Sequence, residues 1–295
     1  MHALGAGRVT MRAMSARPRF GLKLAPMNCS LQEQREVWRV ADQGGFDHLW
    51  TFDHLNPING DLAGVAWEGW TLLPAMAEAT SRVRIGCMVT GNTYRHPGQL
   101  AKMATTVDHL SGGRLEFGLG AAWAEAEHTM LGLEFPLVGE RIRRLGEACT
   151  VLKQLWSGSP VSHDGPAYHL REAVQNPPPL QRPHPPIWIG GSGERKTLRV
   201  VAEHADCWNA VGPDVEECRR KSEILDRHCE TIGRDPDVIR RTVQIRTEAN
   251  DLNDTVHLCE SFWSAGFVDV ILYVSPPDPV RKAEQLANEL LPRFR

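Results

Sequence analysis

A closed (β/α)8 barrel of the TIM type, in a single domain, is the fold that this chain of 295 residues predicts. Three observations point to it. Short β-rich runs alternate with longer helical patterns almost from end to end. Several strand runs are apolar at consecutive positions, as strands buried on both faces of a parallel sheet are. No break in composition divides the repeating units, so the sheet is expected to close on itself. An open, doubly wound sheet is the rival architecture.

The elements follow in order. FGLKLAP (20–26) is the first strand, and Ser30 caps a helix running to Gln43, with Glu33 completing a capping box and Gly44-Gly45 ending it. HLWTFDH (48–54) is the second strand, followed by a loop with Pro57 and Gly60 and a helix over 68–80 that contains Pro74. VRIGCMVT (83–90) is the third strand; Pro97 opens the next helix, which runs to Leu110 and stops at Ser111-Gly112-Gly113. RLEFGLG (114–120) is the fourth strand, and a longer helical region follows it, including 139–158. From 159 to 186 the chain turns proline-rich and irregular, with a small hairpin expected around HDGPAYHL. This reads as an insertion before the fifth strand rather than a domain boundary. IWIGG (187–191), DCWNAVG (206–212), RRTVQIRT (240–247) and VDVILYVS (268–275) complete the eight strands.

Composition narrows the function. Hydrophobic content of 42% and charged content of 23% are globular values, and a formal net charge of −3 argues against a nucleic-acid binder. No apolar run approaches the roughly 20 residues that span a bilayer. Residues 1–19 carry several arginines but no apolar stretch, so they are expected to form a frayed tail rather than a secretory signal, with the barrel domain over 20–295. Met11 and Met14 are candidates for a later start. Seven scattered cysteines without a CxxC suit buried thiols in a reducing cytoplasm. Twelve histidines show neither HExxH nor a ligand cluster, so no metal site is expected.

In a barrel of this kind the working residues lie where strands end and βα loops begin. The most pointed stretch is Gly190-Gly191-Ser192-Gly193, after the fifth strand and before a helix. It matches neither the phosphate loop nor the dinucleotide fingerprint. Glycine amides without Cβ hindrance, a serine hydroxyl and a helix N-terminus nevertheless suit an anion; a plain tight turn is the competing account. Asp53 and His54 stand at the mouth of the second strand, where a histidine can exchange a proton near neutral pH, or be held as a loop element. Thr90-Gly91-Asn92 ends the third strand; Asn92 could bond a heterocycle edge or simply make a turn. Small residues end the fourth strand and leave room for a flat ligand, and Glu125 and Glu127 follow in an early helical turn that suits the helix dipole.

The order of these segments resembles the luciferase-like monooxygenase family. The resemblance rests on FGLKL, GFDHLWTFDH, LSGGRLEFGLGAAW and PPIWIGGSGERKTL, and covers nearly the whole chain from Phe20. It is most similar to the branch of oxidoreductases that use coenzyme F420, a deazaflavin. The resemblance implies a barrel that binds a flavin-type cofactor at its C-terminal face and moves a hydride between F420 and a small organic substrate. By residue it implies a phosphate loop at Gly190, Gly191, Ser192 and Gly193, a ring-facing and proton-handling His54, a non-prolyl cis peptide at Met88-Val89 backing the ring, and Asn92 near its polar edge. Asp53, Glu68 and Glu125 are the other acids that could handle the proton. Trp50, Trp67, Trp70 and Trp123 are available to wall the pocket or to pack the core. The resemblance further implies a homodimer.

Two departures qualify it. The FMN-using luciferases carry an arginine just after the fourth strand, where this chain reads Gly120-Ala121-Ala122; this favours F420 over FMN. Sugar-phosphate dehydrogenases of the F420 branch place a glutamate in the same loop, where Trp123 stands here, so that substrate is not implied. The alternatives are an FMN-dependent monooxygenase with a partner reductase, a non-catalytic binder of a flavin-like ligand, and a hydrolase using Asp53 and Glu125 as paired carboxylates.

Overall fold

A computed structural model describes residues 17–247 and 251–295. The strands close into one barrel. In chain order they are β1 (Arg19–Leu24), β2 (His48–Thr51), β3 (Arg84–Gly91), β4 (Leu115–Gly120), then β7 (Ile187–Gly190), β8 (Cys207–Val211), β9 (Arg240–Arg246) and β10 (Asp269–Val274). Around the barrel the order is β1-β10-β9-β8-β7-β4-β3-β2, with every pairing parallel. The doubly wound alternative is therefore excluded. Most of the expected tail, through residue 16, lies outside the described residues. Of its last residues, Arg17 pairs with Asp47 at 3.0 Å and Arg19 opens β1.

Crossover helices surround the barrel: α1 (Leu31–Gln43), α2 (Gly69–Ala79), α3 (Pro97–Leu110), α4 (Glu125–Leu131), α5 (Val138–Trp156), α6 (Thr197–His204), α7 (Val215–Thr231), α8 (Leu252–Ser264) and α9 (Pro279–Gln285). The capping box at α1 is formed in full, since the Ser30 hydroxyl accepts the Glu33 amide at 3.1 Å and the Ser30 amide donates to Glu33 at 2.7 Å. The insertion contains the antiparallel hairpin β5 (Val161–Asp164) and β6 (His169–Ala173). Glu147 on α5 pins the hairpin turn by accepting the amides of Ala167 and Tyr168.

A large apolar layer fills the space between strands and helices. Inside the barrel, a smaller cluster of Trp50, Met88, Trp188, Cys207 and Ile271 plugs the middle. Below it, toward the N-terminal ends of the strands, lie charges. Glu116 accepts from Arg84 and from Trp188 Nε1, and Arg240 approaches both Glu116 and Asp269. His48 Nε2 and Asp269 Oδ1 are 2.9 Å apart and fully buried, close enough to attract but off the hydrogen-bond line.

Close approach explains one inward glycine. A Cβ on Gly86 would fall 2.4 Å from the Glu116 carbonyl oxygen and 2.5 Å from the Trp50 ring. Neither can retreat, because one belongs to the neighbouring strand and the other fills the barrel. Gly86→Ala is therefore expected to destabilise the fold by about 1–3 kcal/mol or more, read as a lower urea midpoint with an unchanged slope.

Candidate active site at the mouth of the barrel

The C-terminal ends of the strands gather the residues singled out in sequence, and the distances sort them. Asp53 is buried and committed. Arg95 donates to both its oxygens at 2.7 and 3.0 Å, and the Gly91 amide adds a third bond at 3.0 Å. Burial nonetheless pushes the Asp53 carboxyl above its usual range, against the pull of Arg95. Glu68 caps α2 through the Trp70 and Thr71 amides and also accepts from Arg95. Glu125 lies exposed on the first turn of α4. Asp53 and Glu125 therefore do not form the carboxylate pair that a hydrolase would need.

Glu127, two residues further along α4, behaves oppositely. Its side chain is 3% exposed and lies 3.0 Å from His54 Nδ1. The amides of Leu55 and Asn56 both donate to its Oε1, and the Tyr94 hydroxyl donates to its Oε2. These hydrogen bonds outweigh burial and hold the carboxyl down to about 2. An ionised carboxylate only accepts, so His54 Nδ1 carries the proton toward it. In the neutral imidazole this leaves the Nε2 lone pair free, and among the described residues no protein group bonds to Nε2. Tyr94 is fixed in turn by stacking on His128 at 4.7 Å, and His128 bonds Thr93 at 2.7 Å and the Ala124 carbonyl at 2.7 Å.

The Met88-Val89 peptide bond is cis and sits in a break of register between Cys87 and Thr90. Val89 is thereby raised into the mouth. Its methyl groups occupy the space in which Gly120 and Gly190 would otherwise carry Cβ atoms, at 2.7 Å and 3.0 Å. Beyond Gly190 the loop stays accessible, and Gly191 has φ +122°. Trp208 Nε1 bonds the Gly191 carbonyl, and the Leu198 amide bonds the Gly193 carbonyl, tying the loop into α6. Among the described residues, the amides of Ser192 and Gly193 have no acceptor. They are available to an anion.

Asn92 is buried at the end of β3. Its amide nitrogen donates to the Tyr168 hydroxyl at 3.0 Å, so the side chain is turned to the hairpin, with Oδ1 buried and unpartnered. The tryptophans also divide. Trp50 fills the barrel and Trp70 packs outside it, bonded to Thr90. Trp67 is half-buried and bonds the Cys29 carbonyl. Trp123 alone of the four is widely exposed, at 65%, with its ring edge-on to His54 at 5.3 Å. Two groups went unremarked in sequence: Glu127 as the partner of His54, and Lys23 in β1. The spacing of Glu125 and Glu127 does not reveal which one faces inward.

Among the described residues no helix is long and apolar enough to cross a membrane, and no group of three or more His, Cys, Asp or Glu side chains could hold a metal ion.

The profile of the luciferase-like monooxygenases matches residues 11–265. The chain belongs to this family. Among curated members it is 32% identical over 275 residues to an F420-dependent glucose-6-phosphate dehydrogenase of Microbacterium testaceum, covering 92% of this chain and 80% of the relative. It is 32% identical over 159 residues to the oxygenase component of a flavin-dependent trigonelline monooxygenase of Acinetobacter baylyi, covering 53% and 42%. The fold is that of an F420-dependent secondary alcohol dehydrogenase solved with an F420-acetone adduct, at TM-score 0.85 and 19% identity, over 95% of this chain and all of that one. The F420-dependent tetrahydromethanopterin reductase of Methanopyrus kandleri superimposes at TM-score 0.80 with the same identity and coverage of this family member.

The Glu127 anchor has a checkable pH signature. Its folded pKa lies below the ordinary value of 4.5, so its contribution to stability is complete above about 4.5 and is lost as pH falls toward 2. Glu127→Gln should cost about 1.5–3 kcal/mol near pH 7. In paired urea titrations the gap between wild type and variant should narrow as pH falls below about 4.5.

Proposed function

We propose that this chain is an oxidoreductase that transfers a hydride between coenzyme F420 and a small organic substrate. The observation that carries the reading is the conjunction at one barrel mouth of acceptor-free amides at Ser192 and Gly193, the raised Val89 between two glycines, and an imidazole with Nε2 free. A flat ring with an anionic tail fits that arrangement. F420, when bound, supplies the hydride acceptor or donor.

In this reading the chain supplies the rest. Gly190, Gly191, Ser192 and Gly193 hold the phosphate through backbone amides and the serine hydroxyl. Met88 and Val89 set the platform against which the ring lies, and Trp123 shields the imidazole from water. His54 takes the proton from a substrate hydroxyl at Nε2, or returns it in the reverse direction. Glu127 holds that imidazole in the Nδ1–H tautomer. Asn92 contributes its free Oδ1 at the hairpin side of the mouth. Names of relatives support F420 most often, and the absence of an arginine at Gly120-Ala121-Ala122 agrees with it. FMN is the second reading, favoured by the monooxygenases that also resemble this chain. A domain spanning 20–295, a cytoplasmic location and a homodimer belong to the same proposal; the seven buried free cysteines support a reducing compartment.

Two measurements test it. In a fluorescence titration the protein is expected to quench F420 with saturation and to bind FMN at least tenfold more weakly; binding of FMN alone would reverse the choice. His54→Asn is expected to lower kcat for an alcohol substrate by 10²–10⁴-fold, the usual range for one acid–base group, while F420 affinity changes by no more than a few-fold. Unaltered kcat would remove His54 from the chemistry.

A further inference from the structure

A buried cation inside the barrel, Lys23, is not used by the reading above. Lys23 is 6% exposed and points into the barrel from β1. Its ammonium donates to the Met88 carbonyl at 2.8 Å and to Gln244 Oε1 at 2.7 Å. It lies 5.6 Å from the centre of the Phe52 ring and 5.3 Å from that of Tyr273, within range of cation–π attraction. Among the described residues no carboxylate is within ion-pair reach of it. Of the ionisable groups that face it, Cys87 is buried and its thiol is pushed well up, and Arg246 is a like charge. Burial first, and Arg246 after it, bring the Lys23 ammonium down to about 7.

An ammonium in this position is costly, and an apolar side chain would fill the volume without that cost. What the charge gains is position. Met88 belongs with Trp50 and Trp188 to the cluster plugging the barrel, whereas Phe52 and Tyr273 belong to a separate cluster with Ala25, Met27 and Ile58 nearer the mouth. Lys23 stands between the two. The carbonyl it grips is that of the peptide linking Met88 to Val89, and Val89 is the residue raised between Gly120 and Gly190. The β3 ladder to β4 is interrupted between Cys87 and Thr90, on either side of this peptide. The lysine gives this carbonyl a donor from inside the barrel at the point where the register shifts.

We propose that Lys23 is a positioning residue for the cofactor site, holding the Met88 carbonyl from beneath, with Gln244 as its second tether, so that Val89 presents a fixed floor to the ring. The inference rests on the reading of the mouth as a flavin-type cofactor site. It assigns to the barrel interior a part in ligand binding distinct from packing. Polar groups that break the rules of a barrel core are found where a site needs them.

The test compares wild type, Lys23→Met, Lys23→Gln and Gln244→Leu. F420 affinity is taken from fluorescence quenching, the bound cofactor from its visible absorption band, and folding from the urea midpoint. Lys23→Met is expected to weaken F420 at least tenfold, equal to about 1.4 kcal/mol, and to move the absorption band of the cofactor that does bind. Lys23→Gln keeps an N–H for the carbonyl and is expected to recover part of both. Gln244→Leu leaves the ammonium in place and serves if the lysine variants do not fold; a loss of at least threefold with a displaced band is expected. Wild-type affinity and an unmoved band in a folded lysine variant, or in Gln244→Leu if neither lysine variant folds, would overturn the proposal. If the wild type binds only FMN, the same comparison is made with FMN and decides the matter in the same way. If the wild type binds neither, the reading of the mouth fails and this inference fails with it.

Discussion

The carboxylate of Glu127 is where the active face of this barrel is held together. One buried negative charge takes donors from the loop after β2, at His54, Leu55 and Asn56, and from the loop after β3, at Tyr94, while its own backbone belongs to the helix after β4. Three connections that would otherwise move independently are tied to one point. Burying a charge is unfavourable unless all its lone pairs are occupied, and here they are occupied by groups from separate segments. The imidazole at the mouth acquires a defined tautomer as a by-product of that satisfaction.

The interior is layered by the same logic. Charges sit at the N-terminal end around Glu116 and Asp269, aromatic and aliphatic bulk sits in the middle at Trp50, Trp188 and Ile271, and a lone ammonium sits just below the mouth at Lys23. The outer core follows ordinary hydrophobic packing. On the barrel axis, strands supply inward side chains at every second position, and there the polar and apolar groups fall into separate layers.

Much of the architecture was legible in the sequence. Strand ends agreed to within two residues, apart from β2, which was expected to reach 54 and stops at Thr51, because glycines, prolines and apolar runs punctuate the chain at its turns, and the capping box at Ser30 and Glu33 is a local pattern. The hairpin within 161–173 was visible from Gly165-Pro166. The internal wiring was not. His54 and Glu127 are 73 positions apart, and Glu125 and Glu127 differ only in which face a seven-residue helix turns inward, too short a run for periodicity to settle. Lys23 sits in an apolar strand, and only the register of β1 against β2 and β10 turns it into the barrel. The bond from the Asn92 amide to the Tyr168 hydroxyl was equally invisible, because the hairpin that supplies it lies 76 positions further along the chain.

The sealed base of the barrel has a consequence for traffic. With Arg84, Arg240, Glu116, His48 and Asp269 filling the lower end and Trp50 packed edge-on against Trp188 above them, the described residues leave the base of the barrel filled. Guests share one portal. A molecule lying deep in the barrel would leave by the way it came, past whatever sits nearer the rim.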